Sequence, residues 1–292
     1  MPRTLSAGQR AELYVYDLTT GEARLRLTSH DLLFEAPNWT PDGRDLVVNG
    51  DGRLFRLGLH SGDLVEIPLP GVDPINNDHV ISPDGETVYV SSDDGHIYAA
   101  PFGGEGEIRR ITTDKGDAFH HYLHGVSPDG KTLAYIGLEF LPDDGLRTNV
   151  FLVDVASHEE QQLTDDDFPD DGSEFSPDGA WVYFNSERGS TTPGHAQLFR
   201  VPVGGGEPEQ LTHDERVNWF PHPNPAGRRI AYVSFPPGTL GHPADKDVIV
   251  RLLDEDGTVR DLKALFGGQG TINVPSWAPD GTALAFVAYP VG

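Results

Sequence analysis

Along most of the chain, short runs of apolar residues alternate with polar ones at a period of two, the pattern of a β-strand with one face turned inward. Six such runs, rich in β-branched and aromatic residues, are RDLVVNG, ETVYVSS, KTLAYIG, AWVYFNS, RRIAYVSF and TALAFVAY. Each follows Pro-Asp-Gly or, once, Pro-Ala-Gly. The fixed φ of Pro and the free φ of Gly suit a tight turn, so each unit reads as a hairpin: strand A before the turn and strand B after it. A second hairpin, C and D, follows the first five, as in RLFRLGLHSGDLVEIPL and NVFLVDVASHEEQQLT. No stretch has helical periodicity.

The turn prolines are Pro41, Pro83, Pro128, Pro177, Pro225 and Pro279, spaced by 42, 45, 49, 48 and 54 residues. Units of that length fit the four-stranded blade of a β-propeller. The N-terminus opens on an isolated C–D hairpin, ELYVYDLTTGEARLRLT, and the C-terminus ends on an isolated A–B hairpin, VPSWAPDGTALAFVAY. Joined, they complete one blade and hide strand edges that would otherwise be exposed. The predicted fold is therefore an all-β, six-bladed propeller, one domain over residues 1–292, closed by N-terminal strands C and D with C-terminal strands A and B. Complementary ends argue against an open array or a sandwich.

Composition narrows the function. The absence of Cys excludes disulfides, a thiol nucleophile and thiolate zinc sites. A net charge of −25 argues against a nucleic-acid partner, whose backbone needs a basic face. The acidic surface suits solubility and, as a second reading, a high-salt environment. No apolar run approaches the ~20 residues of a membrane helix. The first residues lack the apolar core of a secretory signal, so a cytoplasmic location and no membrane partner are the expectation.

The unit x-P-x-W-[ST]-P-D-G followed by an apolar strand, seen in APNWTPDGRDLVV and VPSWAPDGTALAFV, with EQQLT and PEQLT as last strands, resembles the repeat of TolB-type propellers, the PD40 or WD40-like repeat. The resemblance spans essentially the whole chain and implies the propeller fold. TolB adds an α/β domain and a secretory signal. Propeller peptidases of the prolyl oligopeptidase type add a hydrolase domain with a G-x-S-x-G elbow, a motif this chain lacks. The chain is also similar to oligogalacturonate lyases, seven-bladed propellers that use a histidine-rich metal site in the central channel for β-elimination; that resemblance implies a location and a chemistry.

In a blade, strand A is innermost, and the D–A and B–C loops share one face. Aligned on the turn Pro, the positions four and three residues earlier bring His79, His124, Glu174 and His222 to near-equivalent places on four consecutive blades. Imidazole and carboxylate donors suit a divalent transition metal, Mn, Fe, Ni or Zn. Alternating strand direction could still turn His79 and His124 away from Glu174 and His222. The D–A loops add Asn38, Asn77, Tyr122, Asn218, Trp219 and Asn273 as candidate ligand-binding residues. The long B–C loops of blades three to five add Arg147, Arg188, His242 and Lys246. Taken singly, Asn and Asp beside turns more often bond their own backbone.

Three functions follow. The first is a stand-alone propeller holding a small polar ligand, a carbohydrate or peptide, at the channel mouth, with a metal ion bound. The second is a metal-dependent lyase or hydrolase acting on a glycoside or uronide, with His121 or His242 as base. The third is a protein-interaction platform.

Overall fold

The computed structural model describes residues 3–72, 74–103, 106–142 and 144–292. Among these residues twenty-three strands and no helix form six antiparallel sheets, the blades of a closed propeller. Blade 1 comprises Phe34–Trp39, Asp45–Gly50, Arg53–Gly58 and Leu64–Ile67. Blade 2 comprises Ile75–Ile81, Thr87–Ser92, Ile97–Pro101 and Arg109–Arg110. Blade 3 comprises Phe119–Val126, Thr132–Phe140, Leu146–Asp154 and Glu160–Gln162. Blade 4 comprises Asp170–Phe175, Trp181–Ser186, Gln197–Pro202 and Glu209–Gln210. Blade 5 comprises Val217–Pro223, Ile230–Phe235, Ala244–Leu253 and Val259–Gly268.

The motif before each B strand has a local cause. In blades 1 to 4 the Ser or Thr ahead of Pro donates its hydroxyl to the turn Asp, as Ser176 Oγ does to Asp178 Oδ1 at 2.6 Å. The same oxygen accepts the backbone N–H that opens the next strand, Trp181 N at 2.9 Å in blade 4. Blade 5 replaces this device with Asn224, whose Oδ1 accepts Ala226 N at 2.8 Å.

Adjacent sheets pack face to face, so a B strand is covered on both sides. In blade 3, Leu133 and Tyr135 pack on Tyr89, Ile97 and Ala99 of blade 2. Their neighbours Ala134 and Ile136 pack on Phe175, Val182 and Phe184 of blade 4. The strand Ile230–Phe235 is buried at every position. Half-burial, the sequence expectation for these runs, holds better for outer strands such as Leu64–Ile67.

The sixth blade closes the ring as expected. Ala11–Asp17 pairs antiparallel with Ala283–Ala288, from Glu12 opposite Ala288 to Asp17 opposite Ala283, and Glu22–Ser29 forms its outer edge. Its innermost segment is thinner than in the other blades, a single bridge between Trp277 and Leu284. Pro275 has no N–H to give a ladder. Several inner carbonyls there are also claimed by side chains of other blades: Pro275 O by Asn38 Nδ2 at 2.6 Å, Ile272 O by His222, and Asn273 O by His124 at 3.3 Å.

Each of the five complete blades shares one irregularity. The innermost strand slips register, between Glu35 and Asn38, Ile75 and His79, Leu123 and Gly125, Asp171 and Glu174, and Trp219 and His222. Bulges of this kind bend a strand and re-aim its side chains.

Candidate functional site

The bulge divides the inner strands of blades 1 to 5 into two levels. Just above it, six residues before each turn Pro, stand Glu35, Asn77, Tyr122, Asp171, Trp219 and Asn273, one from each blade, each polar or aromatic. Within three of the bulges the chain enters the left-handed region, at Ala36 (φ 53°), Gly172 (φ 68°) and Phe220 (φ 57°). Phe is costly there, on the order of 1–3 kcal/mol, and its neighbours hold it in place. Phe220 N donates to Asn185 Oδ1 at 3.0 Å. A Cβ on Gly172 would approach that oxygen to 2.9 Å and the Phe220 ring to 3.0 Å, so glycine is required.

On the face of the D–A and B–C loops the upper level opens into a cavity of about 360 Å³. Asp171 organises one wall. His124 Nε2 lies 2.9 Å from Asp171 Oδ1, and His242 Nε2 lies 3.5 Å from Asp171 Oδ2. His242, from the B–C loop of blade 5, also bonds Gln269 Oε1 and packs 4.5 Å from the Trp219 ring. Asp78 joins the same wall, accepting from Asn76 Nδ2 at 2.7 Å. The lining also has an apolar and aromatic part, formed by Tyr122, Ile136, Leu138 and Phe220, with the Phe220 ring 5.8 Å from His124 and 5.2 Å from His242. A second cavity of about 180 Å³ shares Asn76, Asn77 and Gln269 and holds the ion pair of Arg3 with Glu35 at 2.9 Å.

Charges on the Asp171 wall are strongly coupled. Burial pushes Asp78 up to about 6, with His124 opposing and Asp171 adding to the rise. Burial disfavours the charged form of His124, yet Asp78 and Asp171 outweigh it and lift that imidazole to about 9. Burial would raise Asp171, but His124 and His242 hold it far below the usual carboxylate range. His242 is raised because its bond to Asp171 overcomes its own desolvation.

Below the bulge most polar groups are spent on the fold, His79 Nδ1 and Trp39 Nε1 being without a partner. His222 Nδ1 meets Glu174 Oε2 at 2.6 Å while its Nε2 donates to the carbonyl of Ile272, and Trp277 Nε1 donates to His222 O at 2.8 Å. Burial raises Glu174, with His222 opposing. His79 Nε2 donates to Val47 O at 3.2 Å, and burial holds that imidazole down to about 4. Asn38 joins blades 6 and 2 by donating to Pro275 O and accepting Ile81 N at 3.0 Å. Beneath this level a largely apolar pocket of about 200 Å³, lined by Trp39, Val80, Phe175 and Trp277 among others, opens below.

The four residues nominated as metal ligands therefore do not share a centre. His124 belongs to the mouth, His222 and Glu174 to a buried pair, and His79 to the seam between blades 1 and 2. Among the described residues no three His, Asp or Glu side chains are placed to hold one metal ion. The donor set as folded does not fit one, because its imidazole nitrogens point at carboxylates and backbone carbonyls.

Of the other nominated residues, Asn77, Tyr122, Asn273 and His242 line the mouth, and Trp219 backs it. His121 lies away from the cavity, with Nδ1 against Gly95 O at 2.7 Å, its ring stacked on His96, and burial holding it down to about 4. Asn218 is buried in blade 5, accepting Ser234 Oγ at 2.7 Å. Arg188 chelates both oxygens of Asp170 at 2.8 Å. Arg147 stands on the blade 3 hairpin, 3.7 Å from Glu139.

Sequence reasoning missed Asp78, Asp171, Gln269 and the Arg3–Glu35 pair. An alignment read three and four residues before Pro samples the level under the bulge. Six before Pro, the six blades carry Glu, Asn, Tyr, Asp, Trp and Asn, and the lack of any aliphatic residue in that column was the available signal.

The model of the TolB beta propeller domain, PD40, matches residues 127–241. The uncharacterized protein Atu1656 of Agrobacterium fabrum is 40% identical over 287 residues, covering 96% of this chain and 92% of that protein. A solved structure from Agrobacterium tumefaciens, described as a TolB candidate, superposes with a TM-score of 0.88 at 39% identity, covering 97% of this chain and 99% of that one. An oligogalacturonate lyase in complex with manganese superposes with a TM-score of 0.60 at 16% identity, covering 91% and 74%, a likeness of fold alone. Repeat, ring closure and these relatives agree: the chain belongs to the TolB-like (PD40) β-propeller family.

Proposed function

We propose that the channel mouth binds a small polar ligand, a carbohydrate or a short peptide. The observation that carries this reading is the contrast across the bulge. Polar and aromatic side chains from five blades, 2 to 6, line one cavity of about 360 Å³, a size suited to a small molecule. One buried donor of its lining, Asn77 Nδ2, has no hydrogen-bond partner. Asp171, braced by two imidazoles from different blades, is a rigid acceptor of the kind that fixes a ligand's orientation. The test is calorimetric titration of neutral and acidic monosaccharides, disaccharides and dipeptides into the wild type and Asp171→Asn. Binding that the substitution abolishes supports the reading; a ligand that binds both proteins equally well places the site elsewhere.

A second reading is proton-transfer chemistry in the same cavity. It is favoured by Asp78 near 6 and His124 near 9, two groups on either side of neutrality on one wall. Incubation with oligouronides, read by the ultraviolet absorbance of an unsaturated product, tests it. Absence of turnover at every pH between 5 and 9 removes the lyase form of this reading.

A further inference from the structure

We propose that the ligand of the mouth is an amphiphile whose polar head sits against the Asp171 wall and whose apolar arm lies along the inner face of the blade 3 hairpin. This rests on the reading of the mouth as a binding site. One cavity is lined by Asp78, His124 and Asp171 and also by Ile136 and Leu138, so a ligand polar throughout would leave the apolar part of the lining without a partner.

The apolar wall continues past the cavity. Tyr122 lies opposite Ile136, His120 opposite Leu138, Leu138 opposite Thr148 and Phe140 opposite Leu146. Residues two apart on a strand share a face, so Ile136, Leu138 and Phe140 form one strip with Leu146 beside its end. Burial falls along it. Ile136 is buried against Phe175 and Val182 of blade 4, Leu138 is partly exposed, and Phe140 and Leu146 are 47% and 59% exposed. The His120 ring lies 6.3 Å from Tyr122 and 5.3 Å from Phe140, which carries the flat surface from the cavity to the rim.

The overhang has a plain cause in strand length. Thr132–Phe140 has nine residues whereas Trp181–Ser186 of blade 4 has six, so the upper hairpin outruns the neighbour that would cover it. Single exposed apolar residues are ordinary, but a strip that begins inside a polar cavity and stays on one face is an extension of that cavity. From Ile136 to Phe140 it runs about 13 Å, four residues at the rise of a strand, which matches a medium-length alkyl or acyl arm and is too narrow to seat a folded partner.

The test uses two homologous series, n-alkyl β-D-glucosides and N-acylglycines, from one carbon to eight, each titrated below its micelle concentration. Proteins are the wild type and the double variant Phe140→Asp, Leu146→Asp, whose exposed positions leave the melting temperature near that of the wild type. In one series or both, affinity rises about twofold per methylene, half the gain of full burial. The double variant keeps the affinity for the shortest member and loses the dependence on chain length. Short members that bind with no chain-length dependence overturn the arm and leave the mouth standing. Dependence that persists in the double variant also overturns it. If no member of either series binds, the mouth reading falls together with the arm.

Discussion

The upper and lower levels of the channel are built from the same five strands, yet they differ in what their polar side chains have left to offer. Above the bulge, Asp171, Asp78 and Asn77 face a cavity, and Asn77 Nδ2 is without a partner. Below it, His222, Glu174 and Asn38 are tied to each other and to the backbone of distant blades, with Ile272 O and Pro275 O as anchors. Convergence of titratable residues on an axis is therefore not a mark of a site by itself. A propeller must also fasten its blades at the hub, and buried polar groups do that work only when fully satisfied.

The largest effect expected from this contrast is at the lower level. Glu174→Ala leaves a buried imidazole without its carboxylate and costs roughly 3–5 kcal/mol, as breaking a buried pair does. Urea denaturation measures it. A loss below about 1 kcal/mol, with ligand binding impaired instead, would move Glu174 and His222 into the site and erase the distinction between levels.

Asp171→Asn is expected to cost less in stability, roughly 1–3 kcal/mol, and to weaken ligand binding at least tenfold. It removes the charge that two imidazoles share but keeps a side chain that can hydrogen-bond. Equal damage to stability from Asp171→Asn and Glu174→Ala, with no effect on binding, would make the mouth a second structural hub.

The pH dependence of stability separates the levels more gently. His124 has a folded value of about 9 against 6.5 unperturbed, so its contribution is complete below about pH 6.5 and is lost as pH rises through 9. Asp78, raised to about 6, has already lost its contribution by pH 7, which leaves the interval above 7 to His124 and to His242, itself raised by Asp171, and the His124 variant separates the two. Melting temperatures of the wild type should fall between pH 7 and 9 more steeply than those of His124→Gln. Parallel curves would mean that His124 is neutral in the fold and that the Asp171 wall carries less positive charge than its geometry implies.

The same contrast explains what was legible in the sequence. Pro-Asp-Gly turns fix hairpins through short-range bonds, Ser176 to Asp178 being one, so unit length, blade number and ring closure follow from the chain alone. The bulge does not follow, because inserted residues vary in number and are set by contacts between blades, such as Asn185 Oδ1 with Phe220 N. An alignment that runs past a bulge keeps its count and loses its direction. That is why His79 and His222 looked equivalent to His124, and why Asp171, three residues before Glu174, went unnoticed. Asn77, Tyr122 and Asn273, nominated on loop polarity, line the mouth because polarity, unlike alignment, does not depend on register.

The smallest expected effect sharpens where the mouth ends. Arg147 lies opposite Glu139 in the blade 3 hairpin, one residue out of step with Leu138 and Phe140, so its side chain belongs to the other face of the sheet. Its ion pair with Glu139, at 3.7 Å, is partly exposed and contributes at most ~0.5 kcal/mol. Arg147→Ala should therefore change neither the urea midpoint nor the affinity for any head group by more than about twofold, even though the residue stands within two positions of the exposed Leu146. A tenfold loss of affinity for acidic ligands alone would mean that the hairpin twists enough to bring this cation over the cavity, and the boundary of the site would have to be redrawn across both faces of blade 3.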